Sequence, residues 1–366
     1  MLFLLFYVKI KKNDLLKRRI LMAFIRAAYV YAPYLPKVTE DDLKILTHIN
    51  IAFGLVKDGR ITVDHNKQYF VELDRIRKIK PKIKIVLSVG GWGAGGFSEA
   101  ASTDEGCRLF AQSAAEIQRE FCLDGIDIDW EYPAIDEAGI TATPEDRENF
   151  TRMLAYLREE LDNCKAFDGG RCILTIAAGA GKYFPDQSCH LPVINEILDF
   201  VSLMTYDLAK FDGYTGHHTN VYDPDSDDPR FAWGGASTVE YFHEKGLPYD
   251  KMVYGAAFYS RRFNGVENKN NGLHQPAEVL NLYGPGFTDL HDNYIDKNGW
   301  TRYWDDTAKS PWLFNGTDFI TYEDEQSIAE KCEYIKKKGI LGIMYWEHSC
   351  DETRKLLATI GKGLAD

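Results

Sequence analysis

The sequence predicts an α/β fold in which eight parallel strands alternate with helices and close into a (β/α)₈ barrel, with a small α+β insertion between the seventh and eighth strands. Three observations lead to this prediction. Strand-like and helix-like runs alternate along the chain after residue 23. One of the strand-like runs carries acidic residues at every second position. The interval between the last two strand-like runs is much longer than a simple crossover requires.

The elements follow in chain order from the spacing of the apolar residues. Strands are predicted at residues 24–31, 49–55, 83–89, within 121–133, and at 172–178, 200–206, 252–259 and 340–345. Helices are predicted at residues 40–47, 68–79, 105–121, 144–162 and 324–338, and another ends the chain. The barrel is assigned to residues 23–366 and the insertion to residues 260–319, where helical periodicity is weak. A doubly wound open sheet is the alternative, but no Gly-x-Gly-x-x-Gly follows the first strand.

The fourth predicted strand is the most informative stretch of the chain. It carries Asp127, Asp129 and Glu131, which alternate with apolar residues, and Glu131 closes the strand at the mouth of the barrel. Because side chains alternate faces along a strand, the acids line one face and the apolar row packs under helices. Three like charges so close together cannot ionise independently, so at least one pKa is expected to rise. The row indicates proton-transfer chemistry.

Other interpretations of the acidic row are weaker. A solvated strand is disfavoured by the isoleucines between the acids, and an EF-hand loop is disfavoured by the register of the acids and glycine. A metal-binding pair made by Asp127 and Asp129 is left open. His217 and His218 resemble metal ligands, but adjacent residues rarely bind one ion. We interpret them as loop residues that line or support a cleft.

Composition narrows the class of partner. The 366 residues carry a formal net charge of −12, and without a basic stripe a nucleic-acid role is not expected. Aromatic residues make up 13% of the chain, which suits both a core and stacking on sugar rings. The seven cysteines fit no zinc pattern. Cys164 and Cys172 flank a short loop and would pair only in an oxidising compartment, and reduced thiols are the preferred interpretation.

The acidic strand resembles the Asp-x-x-Asp-x-Asp-x-Glu signature of the family 18 glycoside hydrolases, the chitinases. Asp124, Asp127, Asp129 and Glu131 fill this pattern. Further blocks resemble the family in the same order, from about residue 24 to the C-terminus: residues 88–92, 204–207, 215–222, 254–259 and 344–347. Ser88, Gly90 and Gly91 are interpreted as structural rather than catalytic.

The resemblance implies a role for each cleft residue. Glu131 would protonate the glycosidic oxygen, while Asp129 would orient the acetamido group of the substrate and share a proton with Asp127. Tyr206 would hold that acetamido group from the other side. The implied substrate contacts are Tyr29, Phe53, Trp92, Met204, Asp207, Tyr259, Arg261 and Trp346. No cofactor and no metal are implied.

Three functions are compatible with these residues. The first is a chitinase that cleaves β-1,4-linked N-acetylglucosamine chains with retention and with assistance from the substrate. The second is an endo-β-N-acetylglucosaminidase acting on glycans or peptidoglycan. The third is a chitin-binding relative without activity, which Glu131 argues against. We expect a monomer with chitin or chito-oligosaccharides as its partner and no stable membrane span.

Residues 1–22 predict either a translated leader or a weak amphipathic anchor. Their apolar residues precede a basic run, which is the reverse of a secretory signal. The apolar run is also too short to cross a bilayer. In the leader interpretation translation starts at Met22. The expected location is then cytoplasmic or non-conventionally exported, whereas polymeric chitin outside the cell would favour secretion.

Overall fold

Eight parallel strands form the centre of the molecule. The structure is a computed structural model that describes residues 24–209 and 213–365, with the backbone alone for residues 279–282. The barrel strands are β1 (Ile25–Tyr31), β2 (His48–Lys57), β4 (Lys84–Gly90), β5 (Gly125–Asp129), β6 (Ile173–Gly179), β7 (Phe200–Met204), β8 (Met252–Ala257) and β14 (Gly342–Trp346). They pair in chain order, and β14 returns to β1, which also pairs with β2. This pairing closes the barrel, as the sequence predicted.

Helices cover the outside of the barrel. They are α1 (Glu40–Ile45), α2 (Glu72–Ile79), α3 (Phe97–Ala101), α4 (Asp104–Glu120), α5 (Asp146–Asp162), α6 (Leu191–Ile197), α7 (Gly235–Glu244), α8 (Glu325–Lys338) and α9 (Lys355–Gly363). Side-chain caps fix where several of them begin. Asp324 accepts hydrogen bonds from the first turn of α8, and Gly339 ends that helix in the left-handed conformation at φ 72°. Trp130, which continues the apolar row of β5, stacks on Phe97 of α3 and meets Phe150 of α5 edge to face.

Three predicted strands end earlier in the structure than the sequence predicts. The acidic strand ends at Asp129, so Glu131 lies on the loop beyond it and does not close the strand. The strand predicted at 200–206 ends at Met204, because Thr205 turns to bond the backbone of Gly255 through both its donor and its acceptor. The strand predicted at 252–259 divides into β8 and a strand of the insertion, since the amide of Phe258 bonds Trp346 O instead. A side-chain contact to Gly255 accompanies the end at Met204, and a backbone hydrogen bond to Trp346 accompanies the end at Ala257.

A second sheet follows the seventh barrel strand. It is antiparallel and contains β9 (Tyr259–Asn264), β10 (Val279–Gly286), β11 (Thr301–Asp305), β12 (Ser310–Phe314) and β13 (Phe319–Thr321). A helical turn at Phe287–Asp289 and a π-helix at Leu290–Tyr294 connect β10 to β11. The sheet has an apolar core of its own around Phe263, Trp312 and Phe314. It is the small insertion that the long interval in the sequence predicted.

A short hairpin and two cysteines complete the description of the barrel. β3 (Arg60–Thr62) forms a hairpin with the end of β2. Cys164 and Cys172 are buried, unpaired thiols.

Within residues 24–209 and 213–365, no helix has the length and apolar character needed to cross a lipid bilayer. The prediction for residues 1–22 lies outside the described residues.

Candidate active site

A cleft of about 1260 Å³ opens at the carboxyl ends of the barrel strands. Eleven of the twelve residues proposed from the sequence line it: Tyr29, Phe53, Trp92, Asp129, Glu131, Met204, Tyr206, Asp207, Tyr259, Arg261 and Trp346. The twelfth, Asp127, is fully buried and lies two residues before Asp129 on β5. These twelve residues come from six barrel strands or the loops after them and from the insertion, and they surround one acidic row.

Asp127 is the deepest acid and has a complete set of hydrogen-bond donors. Tyr29 Oη lies 2.9 Å from it, Ser88 Oγ 2.8 Å and Thr175 Oγ1 2.6 Å. Ser88 and Thr175 are its cross-strand neighbours in β4 and β6, so the barrel register itself delivers two of the donors. Burial raises the pKa of Asp127, and the three hydroxyl groups oppose that rise.

Asp129 lies in the middle of the row, and one of its oxygens has no partner. Its Oδ1 is buried and makes no hydrogen bond with the described residues. Burial, followed by the charges of Glu131 and Asp127, holds the pKa of Asp129 well above its ordinary value. An acid in this state is either protonated or awaits a donor from a bound molecule.

Glu131 is the outermost acid and is 9% exposed. Burial raises its pKa to about 7, a hydrogen bond with Tyr132 opposes the rise, and the charge of Asp207 adds to it. A carboxyl group with a pKa near neutrality exchanges protons readily at physiological pH. The row thus changes from a satisfied acid at the bottom to a titratable acid at the cleft surface.

Asp207 belongs to a separate ionic cluster on the facing wall. It accepts two hydrogen bonds from Arg261, at Nε and Nη2, and one from Tyr259 Oη, each at 2.6 Å. Burial alone would raise its pKa, but Arg261 and His218 hold the pKa of Asp207 well below its usual range. Asp207 therefore stays ionised beside Glu131 and helps keep the latter protonated.

Aromatic rings form the floor and two walls of the cleft. Trp346 is stacked with Phe53 at a centroid distance of 5.4 Å and meets Tyr31 edge to face at 5.2 Å. Trp92, which is 64% exposed and follows β4, lies beside Tyr132. Flat apolar faces flanked by polar groups suit the alternating surfaces of sugar rings.

Several cleft residues were missed from the sequence. They are Tyr31, Tyr132, Tyr183, Trp233 and Tyr283. Tyr31 shares a strand face with Tyr29 and Tyr132 directly follows Glu131, so period-two reasoning could have found the first and chain proximity the second. Trp233 is fixed by hydrogen bonds from its indole N–H to Ala180 O and Thr238 Oγ1, contacts that only the folded chain brings together.

Three further residues that the sequence singled out do not line the cleft. Asp124 is at the opposite end of β5, where it accepts a hydrogen bond from Ile85 N and pairs with Lys84, so its role is structural. His218 supports the cleft through Asp207, as expected. His217 does not line it, because its ring bonds Asp305 in the insertion. Among the described residues, no group of three His, Cys, Asp or Glu side chains is arranged to hold a metal ion.

A closed parallel barrel with a row of acids in an aromatic cleft defines a glycoside hydrolase with a (β/α)₈ fold. The sequence pattern described as "Glycosyl hydrolases family 18" matches residues 22–351, and the chain belongs to this family.

Known relatives agree with this assignment. The chain is 36% identical over 305 residues to Chitinase A1 of Niallia circulans, which covers 78% of this chain and 43% of the relative. It is 29% identical to the Endochitinase of Manduca sexta, which covers 89% of this chain and 63% of the relative. The chain thus spans less than two thirds of the length of either relative. A structure titled as a family 18 N-acetylglucosaminidase from Paenibacillus barengoltzii shares 47% sequence identity with this chain and superposes with a TM-score of 0.89. The match covers 93% of this chain and 99% of the chain in that structure.

Proposed function

We propose that the protein is a chitinase that hydrolyses β-1,4 linkages between N-acetylglucosamine units and retains the anomeric configuration. The observation that carries the proposal is the acidic row, with a satisfied Asp127, a partnerless oxygen on Asp129 and a titratable Glu131. The named chitinases among the relatives support the substrate class. The activity rests on residues within the chain itself.

The first chemical step uses the proton of Glu131. Glu131 donates it to the glycosidic oxygen as the bond from C1 to that oxygen breaks. The acetamido carbonyl oxygen of the same sugar attacks C1, which gives an oxazolinium ion in place of a bond to the enzyme. Asp129 accepts a hydrogen bond from the acetamido N–H through its partnerless oxygen and offsets the positive charge that develops.

The second step returns the site to its starting state. Water attacks C1, the oxazolinium ring opens, and ionised Glu131 takes the proton of the water. Two displacements at C1 give net retention. Tyr206 holds the acetamido group opposite Asp129, and its raised pKa, caused by burial and then by Asp129, keeps it a neutral donor. Trp346 forms the floor beneath the reacting sugar, and Phe53 supports that floor.

The other residues that line the cleft complete the subsites. Met204 and Tyr29 fill the space beside the acetamido group, while Tyr259 and Arg261 fix the orientation of Asp207. Trp92 offers an exposed face to a more distant sugar. We propose that the active species is a monomer. Light scattering on the peak eluted from gel filtration measures its molar mass.

The second candidate is an N-acetylglucosaminidase that releases single residues or acts on glycans or peptidoglycan. It is favoured by one observation, the near-complete coverage of the structure from Paenibacillus barengoltzii, whose title names an N-acetylglucosaminidase. A non-catalytic binding protein is disfavoured because all three acids are present and buried around the cleft.

One set of assays separates these candidates. Chromogenic conjugates of one, two and three N-acetylglucosamine units are incubated with the protein beside a glycoprotein and peptidoglycan. Release from the longer conjugates supports the chitinase, and release from the single-residue conjugate alone supports the second candidate. Glycoprotein or peptidoglycan cleavage without chito-oligosaccharide cleavage would refute the first. Binding without any release would leave only the binding protein.

A further inference from the structure

The backbone that carries Tyr206 and Asp207 leaves the barrel in a strained conformation. β7 ends at Met204, and Asp207 has a φ of 54°, in the left-handed region that residues with a Cβ atom rarely adopt. Such a conformation persists only where the surrounding contacts hold it. The hydrogen bonds from Arg261 and Tyr259 act on the carboxylate of Asp207, and a second set of contacts acts on the backbone.

Two consecutive residues of the loop after β7 hold this backbone on both sides. The amide of Leu208 donates a hydrogen bond to the carbonyl oxygen of His218 at 3.0 Å. Thr219 Oγ1 lies 3.2 Å from the carbonyl oxygen of Thr205. Positions 205 and 208 directly flank the two cleft residues, so a shift of the loop at 218–219 would move both of them.

Thr219 is itself fixed by an ion pair that has no access to water. Lys331 Nζ, on α8, donates to Thr219 Oγ1 at 2.6 Å and to Glu323 Oε1. The hydroxyl proton of Thr219 is shared between Glu323 Oε1, at 2.8 Å, and the carbonyl oxygen of Thr205. Both charged side chains are 0% exposed. Because the loss of hydration offsets much of the attraction between buried charges, we interpret the pair as fixing geometry rather than as a source of stability.

The ion pair and the loop are anchored to three parts of the fold. Glu323 Oε2 accepts a hydrogen bond from Ser327 Oγ at 2.8 Å, and Glu323 Oε1 accepts one from the amide of Ala257, the last residue of β8, at 3.3 Å. The amide of His218 donates to Thr321 Oγ1 of β13 at 3.1 Å. The barrel, α8 and the insertion therefore set the position of the loop together.

We propose that Thr219 is a positioning residue for Tyr206 and Asp207, because it transmits the fixed geometry of the pair made by Lys331 and Glu323 to the backbone at residue 205. The proposal rests on the proposed function, in which Tyr206 holds the acetamido group of the reacting sugar. Thr219 is 1% exposed and does not line the cleft. Loss of its hydroxyl should displace groups that act on the transition state and leave the aromatic faces that bind sugar rings in place.

The test compares Thr219→Val, which keeps the shape of the side chain without its hydroxyl, with Thr219→Ser, which keeps the hydroxyl. Initial rates on a chromogenic chito-oligosaccharide should show kcat lowered about tenfold in Thr219→Val, with KM changed by less than about threefold. In Thr219→Ser, kcat should stay within about twofold of the parent. Thr219→Ala, which also lacks the hydroxyl, should show the same loss of kcat and replaces the valine variant if that one does not fold.

Thr215→Val is the matched control. Thr215 is a buried threonine of the same loop, and its hydroxyl bonds Gly272 O and the amide of Gln275 in the insertion. This variant also loses a buried hydroxyl, but its kcat should stay within about twofold of the parent. An equal loss of kcat in Thr215→Val, no loss in Thr219→Val, or a serine variant as slow as the valine variant would overturn the proposal.

Crystal structures of the parent and the Thr219 variants separate this proposal from the proposed function. Tyr206 and Asp207 should be displaced by about 0.5 Å or more in Thr219→Val and should keep their positions in Thr219→Ser. If the parent hydrolyses no N-acetylglucosamine oligomer, the proposed function fails, whereas this displacement still decides the role of Thr219. An unmoved segment in the valine variant would contradict the proposal even where kcat falls.

Discussion

Replacing Glu131 with glutamine removes the proton that the proposed mechanism transfers and leaves the shape of the side chain nearly unchanged. With a pKa of about 7, the parent carboxyl is protonated in about nine tenths of molecules at pH 6 and in about one tenth at pH 8. The activity of the parent should fall by about tenfold between these pH values. The loss of general acid catalysis in Glu131→Gln should lower kcat by about 10² to 10⁴-fold at pH 6.

The same substitution should stabilise the protein at alkaline pH. The folded pKa of Glu131 is raised above its ordinary value of 4.5. The contribution of protonated Glu131 to the free energy of unfolding is therefore complete below pH 4.5 and is lost as the pH rises through about 7. At pH 8 this loss lowers the free energy of unfolding by at most about 3 kcal/mol. Glutamine carries no charge and avoids this cost. The free energy of unfolding of Glu131→Gln should thus exceed that of the parent at pH 8 and approach it at pH 4.

The assays are initial rates on a chromogenic chitobioside and urea unfolding at pH 4, 6 and 8. Substrate binding, measured by quenching of tryptophan fluorescence, should change by less than about threefold, because stacking on the floor does not involve Glu131. Glu159→Gln on α5 is the control, since this carboxylate is exposed and does not line the cleft. Residual activity above about a tenth of the parent rate, or a stability difference that does not grow with pH, would refute the reasoning.

Four further predictions concern the neighbours of Glu131 and the substrate. Ser88→Ala removes one of three donors to buried Asp127 and should lower the free energy of unfolding by about 1–3 kcal/mol in urea titrations, whereas an unchanged midpoint would contradict the role of the hydroxyl. Trp346→Ala removes the floor and should raise KM by about tenfold or more with a smaller effect on kcat, so an unchanged KM would argue against a sugar platform. Cellulose oligomers, which lack the acetamido group, should be inert, and their rapid cleavage would contradict substrate assistance. Dialysis against a chelator should leave the rate unchanged, and a loss restored by a divalent cation would favour a metal at Asp127 and Asp129.

The alternation of residues in the acidic strand predicts which face each side chain occupies, but not where the strand ends. The acids alternate with isoleucines, and that alternation already places them on one face of a strand. Trp130 falls on the other face for the same reason and packs on Phe97 beneath the helices. The end of the strand was wrong by two residues, since nothing in the local pattern shows where pairing with the neighbouring strands stops.

The sequence by itself determined the barrel, the insertion and the identity of the three acids, because backbone periodicity and residue spacing are local properties of the chain. Only the tertiary structure decided what each acid can do. The donors to Asp127 come from residues 98, 39 and 48 positions away, and Asp129 and Glu131 receive no comparable set. Closure of the barrel brings these distant groups together and excludes water, which sets the difference in proton affinity along the row.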